Sequence, residues 1–309
     1  MSEHGIAMSL PAQPERPRIW DGRTGWTLVG MSAIPLWATW PLLATWSATV
    51  PEPAARLPTF QLLAIAFGTG AAVLWALDRA PQKPAPRTWM HWMAVAMAVV
   101  GYLAANATYV FAMRFIPPAQ ANLIAYLWPV MIVVLGGAMG VMRVGWRQWL
   151  GVAVGLGGAA LVIGGSGFTL SWTGIALALA SGLTWAAFCL FRLFEGERAG
   201  NILGAGFAAS GALSFVIHLA VETTVVPSAA SLALVLLIGL LPLSLGALAW
   251  DRGIRRGDRR LLAVMAYATP LASALLLFAF GYASMSLGLA LGGCMIVAAG
   301  IISASRETA

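Results

Sequence analysis

Charge is what this 309-residue chain most lacks. Asp, Glu, Lys and Arg make up 9% of it, against 60% apolar residues. A soluble domain carries about 25% charged residues. A soluble core of this length cannot hide so much apolar surface, which excludes an ordinary water-soluble globule and leaves lipid as the solvent. Lysine is reduced to Lys83, and no Gly precedes it, so Walker A phosphate chemistry is excluded in this chain. The two cysteines, Cys189 and Cys294, lie in apolar runs, where Cys acts as a small hydrophobe rather than as a disulfide half or metal ligand. Histidine is scarce too, with three residues including His4 near the start. Neither a metal nor any other cofactor is expected. The alternating apolar pattern of a membrane barrel is also missing.

What is present is a series of continuous runs rich in Ala, Leu and Gly. The hydrocarbon layer is about 30 Å thick, and a helix needs roughly 20 apolar residues to cross it. Runs bounded by charge, Pro or Gly place spans at 25–47, 59–77, 89–112, 119–140, 147–165, 172–193, 201–221, 229–250, 260–279 and 282–303. The expected fold is an all-α membrane protein of ten transmembrane helices. Residues 1–24 hold Pro11, Pro14 and Pro17 among mixed charges and lack the apolar core of a signal peptide. They read as a cytoplasmic tail. With that tail inside, sixteen of the 18 Lys and Arg fall on the inner side, leaving Arg56 and Arg114 outside. Basic residues favour cytoplasmic loops, so both termini are expected inside a bacterial-type inner membrane. The net charge of +7 then reports orientation in the bilayer, not nucleic-acid binding.

The chain also resembles itself. At a shift of 141, Ala125, Tyr126 and Pro129 meet Ala266, Tyr267 and Pro270. Leu150 and Gly151 meet Leu291 and Gly292, and Arg114, Tyr109 and Gly140 meet Arg255, Trp250 and Gly281. At a slightly different shift, Trp37 and Ala38 meet Trp185 and Ala186. This reads as a duplication, with one five-helix repeat at 25–165 and a second at 166–309. An odd number of helices makes the second repeat enter from the other side. Inverted repeats with a binding site near the midplane characterise secondary transporters.

Polar groups at membrane depth tend to face a bundle interior or a wet cavity. On the third span His91, Tyr102, Asn106 and Tyr109 fall within about 60° of one another on an ideal helix. They read as a cavity wall, with His91 towards the cytoplasmic end; interhelical bonding by Asn106 is the alternative. Asn122, Tyr126 and Pro129 share a face of the fourth span, and Tyr267 with Pro270 repeats it in the ninth. A Pro inside a helix frees a carbonyl one turn earlier, which can take a substrate ammonium or only shape packing. Trp37, Trp40, Pro35 and Pro41 suggest a bent first helix with inward rings. Trp185, near Ser181, is its counterpart, and Trp250 matches Tyr109. Ser210, Ser214 and His218 line one face of the seventh span, as cavity or as packing. Gly151 with Gly155 and Gly288 with Gly292 are GxxxG patterns, read as close packing between the halves or as a dimer face.

The five-plus-five layout, the short link at Pro117 and Pro118, the motifs ending at Pro129 and Pro270, and the Gly-rich fifth and tenth helices resemble the EamA-type branch of the drug/metabolite transporter superfamily. Within it, the Tyr-Leu-Trp-Pro run at 126–129 and the aromatic-rich helices are similar to those of aromatic amino acid exporters. That branch typically carries a Glu before the motif's Pro; Trp128 and Thr269 stand there in this chain. The resemblance implies a small-molecule carrier acting on amino acids, in lipid and as a monomer. A multidrug or cation exporter is the alternative, disfavoured because no Asp or Glu sits in the middle of a span. The same lack points to transport down the substrate gradient, with proton coupling as the alternative that no residue supports. An intramembrane enzyme or a sensor has no supporting cluster or soluble domain.

Overall fold

The computed structural model describes residues 22–49, 56–77, 88–140, 144–164, 171–195, 202–284 and 286–304. Most of the N-terminal tail and several Arg-bearing loops lie outside the described residues. Within them every regular element is a helix. In chain order these are α1 (Arg23–Ala48), α2 (Thr59–Leu77), α3 (Trp89–Ala112), α4 (Pro118–Ala138), α5 (Trp146–Gly164), α6 (Trp172–Glu195), α7 (Leu203–Val221), α8 (Ala229–Arg256), α9 (Arg259–Ala266 then Thr269–Ala279) and α10 (Leu287–Ala304). Among the described residues, α1 to α8 are long and apolar enough to cross a membrane, while Thr269–Ala279 and Leu287–Ile302 are apolar but shorter. A helix satisfies its own backbone, which lipid requires. Exposed indoles sit at helix ends, at Trp75, Trp89, Trp146 and Trp172, where an interfacial belt falls.

Two expected spans shift for local reasons. The tenth starts at Leu287 rather than 282, because the chain first turns through Gly281 at φ +77. The Tyr282 N–H bonds to the Leu277 carbonyl (2.8 Å) and the Gly281 N–H to that of Phe278 (3.0 Å), a Schellman cap that needs the left-handed residue glycine provides. The eighth runs on to Arg256, taking Asp251 into the helix, where it pairs with Arg255 at 2.9 Å.

Among the described residues five helices are interrupted: α1 turns briefly at Ser32, ahead of the unbroken stretch that holds Pro41, and four others break or widen deeper in the bundle. Pro129 and Pro270 stand at the second positions of new helices, so α4 breaks at Tyr126 and Leu127, and α9 at Tyr267 and Ala268. α3 widens into a π-helical turn over Val100–Ala104, and α8 over Gly239–Gly246 around Pro242. The loosened carbonyls find side chains. Asn106 donates to the Tyr102 oxygen (2.7 Å), Thr108 to Ala104 (2.7 Å) and Ser244 to Leu240 (2.8 Å).

These interruptions recur along the chain. Pro118–Ala125 returns as Arg259–Ala266, Trp128–Ala138 as Thr269–Ala279, and Gly140 (φ 68) as Gly281, each 141 residues later. The packing is reciprocal: α3 and α4 lie on α6, while α8 and α9 lie on α1; α2 packs on α7 and α5 on α10. The α5–α10 contact is extensive. There a Cβ on Gly158 would fall 2.7 Å from the Gly292 oxygen, and one on Gly292 would fall 2.6 Å from that of Gly158. Gly155 faces Val130 and Ala299, whereas Gly151 is buried and Gly288 half-buried.

Candidate functional site

Three ring groups lie inside the bundle, the first and third joining α1–α5 to α6–α10 and the second within α1–α5. In the first, Trp37 of α1 and Trp250 of α8 lie 5.1 Å apart. Gly246, at the end of the π turn, makes room: a Cβ there would fall 2.9 Å from the Trp37 ring. In the second, Trp40 of α1 lies 6.1 Å from Tyr109 of α3. In the third, Tyr102 of α3 meets Trp185 and Phe188 of α6 and Phe207 of α7, at 5.5, 5.3 and 4.7 Å. Aromatic pairs of this kind contribute about 0.5–1.5 kcal/mol each beyond burial. Tyr102 and Tyr109 thus keep different company. The π turn between His91 and Tyr109 adds residues to the helical circuit and breaks the ideal stripe. His91 is buried at the start of α3, 5.4 Å from the Trp92 ring.

The two helix breaks meet. The Tyr126 hydroxyl of the first faces Thr269 of the second, whose own hydroxyl oxygen is buried and has no hydrogen-bond partner among the described residues. Asn122, one turn before Tyr126, is buried, and its Nδ2 has no partner among the described residues. An unpaired buried amide costs about 1–3 kcal/mol, so this donor is primed for an acceptor. Tyr267 behaves differently from Tyr126: its ring packs against the backbone of Gly300 on α10.

A cleft of about 310 Å³ opens between the start of α4 and the turn into α10, lined by Pro117, Gln120, Tyr282, Ser284, Ser286 and Leu289. The Schellman cap places Tyr282 there, with Thr49 Oγ1 3.4 Å from its hydroxyl. Tyr109 donates to the Pro118 oxygen at 3.5 Å, so the cleft stands next to the buried phenols.

The seventh-helix stripe holds structure together. Ser214 bonds back to the Ser210 oxygen (2.7 Å), and the fully buried Ser210 hydroxyl has no partner among the described residues. His218 bonds Glu222 through Nδ1 and Thr224 through Nε2, each at 3.0 Å. The Glu222 carboxylate accepts the Phe60 and Gln61 N–H groups at 3.1 Å, capping α2 from another helix. Gln61 pairs in both directions with the Val225 backbone. Ser181 of α6 donates to the Ala105 oxygen of α3 at 2.8 Å.

Sequence reasoning passed over Phe188, Phe207, Thr269 and Tyr282. Thr269 had a signal, since it fills the position before the repeated Pro. Phe188 and Phe207 had none, because nothing in an apolar helix marks which ring turns inward. Among the described residues no group of His, Cys, Asp and Glu could hold a metal ion.

Helices of this length and apolarity, broken in pairs around buried rings, define a multi-pass membrane protein of the transporter class. Residues 24–164 match the model of the EamA-like transporter family. The chain is 32% identical over 289 residues to the aromatic amino acid exporter YddG of Ancylobacter novellus, covering 89% of this chain and 95% of that protein. It belongs to the EamA-like transporter family. A solved crystal structure superposes with a TM-score of 0.67 at 30% identity, over 91% of this chain and 97% of that one.

Proposed function

We propose that this protein exports aromatic and other apolar amino acids, with related small metabolites, across the inner membrane by alternating access. Two inverted five-helix halves, 25–165 and 166–309, exchange conformations around a path at their junction. Both termini face the cytoplasm, and one chain is the working unit. The observation that carries the reading is the meeting of the two broken helices, in a reciprocally packed bundle, around the buried and unpartnered Asn122 amide and Thr269 hydroxyl. The name of the Ancylobacter relative adds the substrate class.

In this reading the rings of Trp37, Trp40, Tyr102, Tyr109, Trp185 and Trp250 border the path and stack on an aromatic side chain. Asn122 Nδ2 and the Tyr126 and Thr269 hydroxyls meet the zwitterionic end, with carbonyls freed by Pro41, Pro129 and Pro270. Glu222, the carboxylate of α7, is engaged in capping α2, which leaves it no part in the path. Transport is therefore uncoupled from protons. The cleft at Tyr282 is the outer mouth.

Uptake of labelled Phe, Trp, Thr and Met into proteoliposomes tests this. Phe and Trp accumulate to equilibrium at rates indifferent to a pH gradient. Tyr109→Ala and Trp185→Ala lower those rates without loss of folded protein. Absence of amino acid uptake overturns the substrate class, and strict dependence on a pH gradient overturns the uncoupled mode.

A further inference from the structure

The end of the bundle opposite the cleft is closed by a polar device. Arg23, Thr27 and Gly30 follow one another at i, i+4 and i+7 on α1, a single face of the helix. All three meet the connection between α8 and α9. The Asp258 N–H donates to Thr27 Oγ1 at 2.8 Å, and its carboxylate pairs with Arg23 at 3.2 Å. The other carboxylate oxygen accepts the Leu261 N–H at 3.2 Å, holding the first turn of α9. Arg256 stands over the Trp26 ring at 4.5 Å. Below, the Gly30 and Gly253 backbones touch, and the fully buried Leu262 covers both. Gly257 is as close: a Cβ there would fall 2.8 Å from the Thr27 nitrogen.

At the corresponding junction of the cleft end the contacts with α6 are apolar, while Arg114 of the turn donates to Thr59 Oγ1 of α2 at 2.7 Å. There α6 meets the turn between α3 and α4, with Gly174 against Phe115 and Ile116, and with Ala112 and Ala178 in the same core. Among the described residues no ion pair joins α6 to that turn. The difference is one of reversibility. An exposed ion pair contributes about 0–1 kcal/mol, and Arg23 and Asp258 are 69% and 38% exposed. A weak ion pair, one hydrogen bond, Arg256 over the Trp26 ring and two close glycine contacts hold this end closed without locking it.

We propose that Arg23, Thr27 and Asp258, seated on the Gly30–Gly253 contact, form a latch whose release opens the α8–α9 end of the path to incoming substrate. The proposal rests on the alternating-access reading. It sets the balance between the two open states through one end only, so weakening it shifts the population at both ends.

The test reads distance rather than transport. Nitroxide labels are placed at the exposed Leu28 and Leu261 for the latch end, and at Phe115 and Trp172 for the cleft end, with Cys189 and Cys294 replaced by Ser. Distances are measured by pulsed electron resonance without substrate. Thr27→Val and Gly253→Ala lengthen the Leu28–Leu261 distribution and shorten the Phe115–Trp172 one. High salt does the same, more weakly, in the unsubstituted latch. Unchanged distributions in folded Thr27→Val protein overturn the latch, whatever Gly253→Ala does. Shifted distances with no amino acid uptake keep the latch and refute the substrate, so the two failures remain separate.

Discussion

Tyr126 and Thr269 lie side by side although 143 residues separate them, each at a break its own Pro imposes. The two breaks recur 141 residues apart along the chain; the fold makes them neighbours. Their inequality matters, because the positions before the two prolines hold Trp128 and Thr269. Replacing Thr269 with Val keeps its shape and removes its hydroxyl. Transport of Phe falls several-fold in Thr269→Val and in Tyr126→Phe, and the double variant is little worse than either, since both hydroxyls meet the same end of the substrate in the proposed path. Proteoliposome uptake measures it. Full additivity would show that the two hydroxyls act apart.

Glu222 supports a stability prediction. Its carboxylate takes two backbone donors of α2 and one ring nitrogen of His218, and is 13% exposed. Hydrogen bonds to a charged group contribute about 1.5–3 kcal/mol. Glu222→Gln lowers stability by about 1–3 kcal/mol, read as a lower melting temperature by Trp fluorescence in detergent. Hydrogen exchange at the Phe60 and Gln61 amides rises in the same variant. Unaltered exchange there would mean that water replaces the cap.

The α5–α10 contact tolerates no side chain at its closest point. Gly292→Val pushes the branched side chain into the Gly158 carbonyl and α5, at a cost of about 1–3 kcal/mol or more. Gly68→Ala is the control, with nothing within 4 Å of its added methyl group. It leaves stability unchanged or raises it by up to about 1 kcal/mol, because Ala is the better helix residue. Thermal unfolding of the two variants side by side decides it; equal melting points would show that the contact relaxes freely.

The helical class was legible from composition, because lipid permits little else for so apolar a chain. Most helix bounds followed from Pro, Gly and charge, and the tenth start was missed only through the cap at Gly281. The breaks at Tyr126 and Tyr267 were readable from Pro129 and Pro270. The π turn of α3 was not, since nothing in residue type marks a widened turn there, while that of α8 carried only the unread mark of Pro242. Phe207 was equally silent: its neighbours are apolar on every side, and only packing shows that its ring meets Tyr102.

The sequence alone therefore determined solvent, helices, family and the duplicated pattern, because these depend on transfer free energy and local backbone chemistry. Tertiary structure decided which of two equivalent tyrosines turns to the junction, Tyr126, and which packs on Gly300, Tyr267. It also made His218 and Glu222 a helix cap rather than a cavity wall, and closed one end of the bundle with Asp258. Those choices depend on which surfaces meet across more than a hundred residues, and helical periodicity carries no record of that.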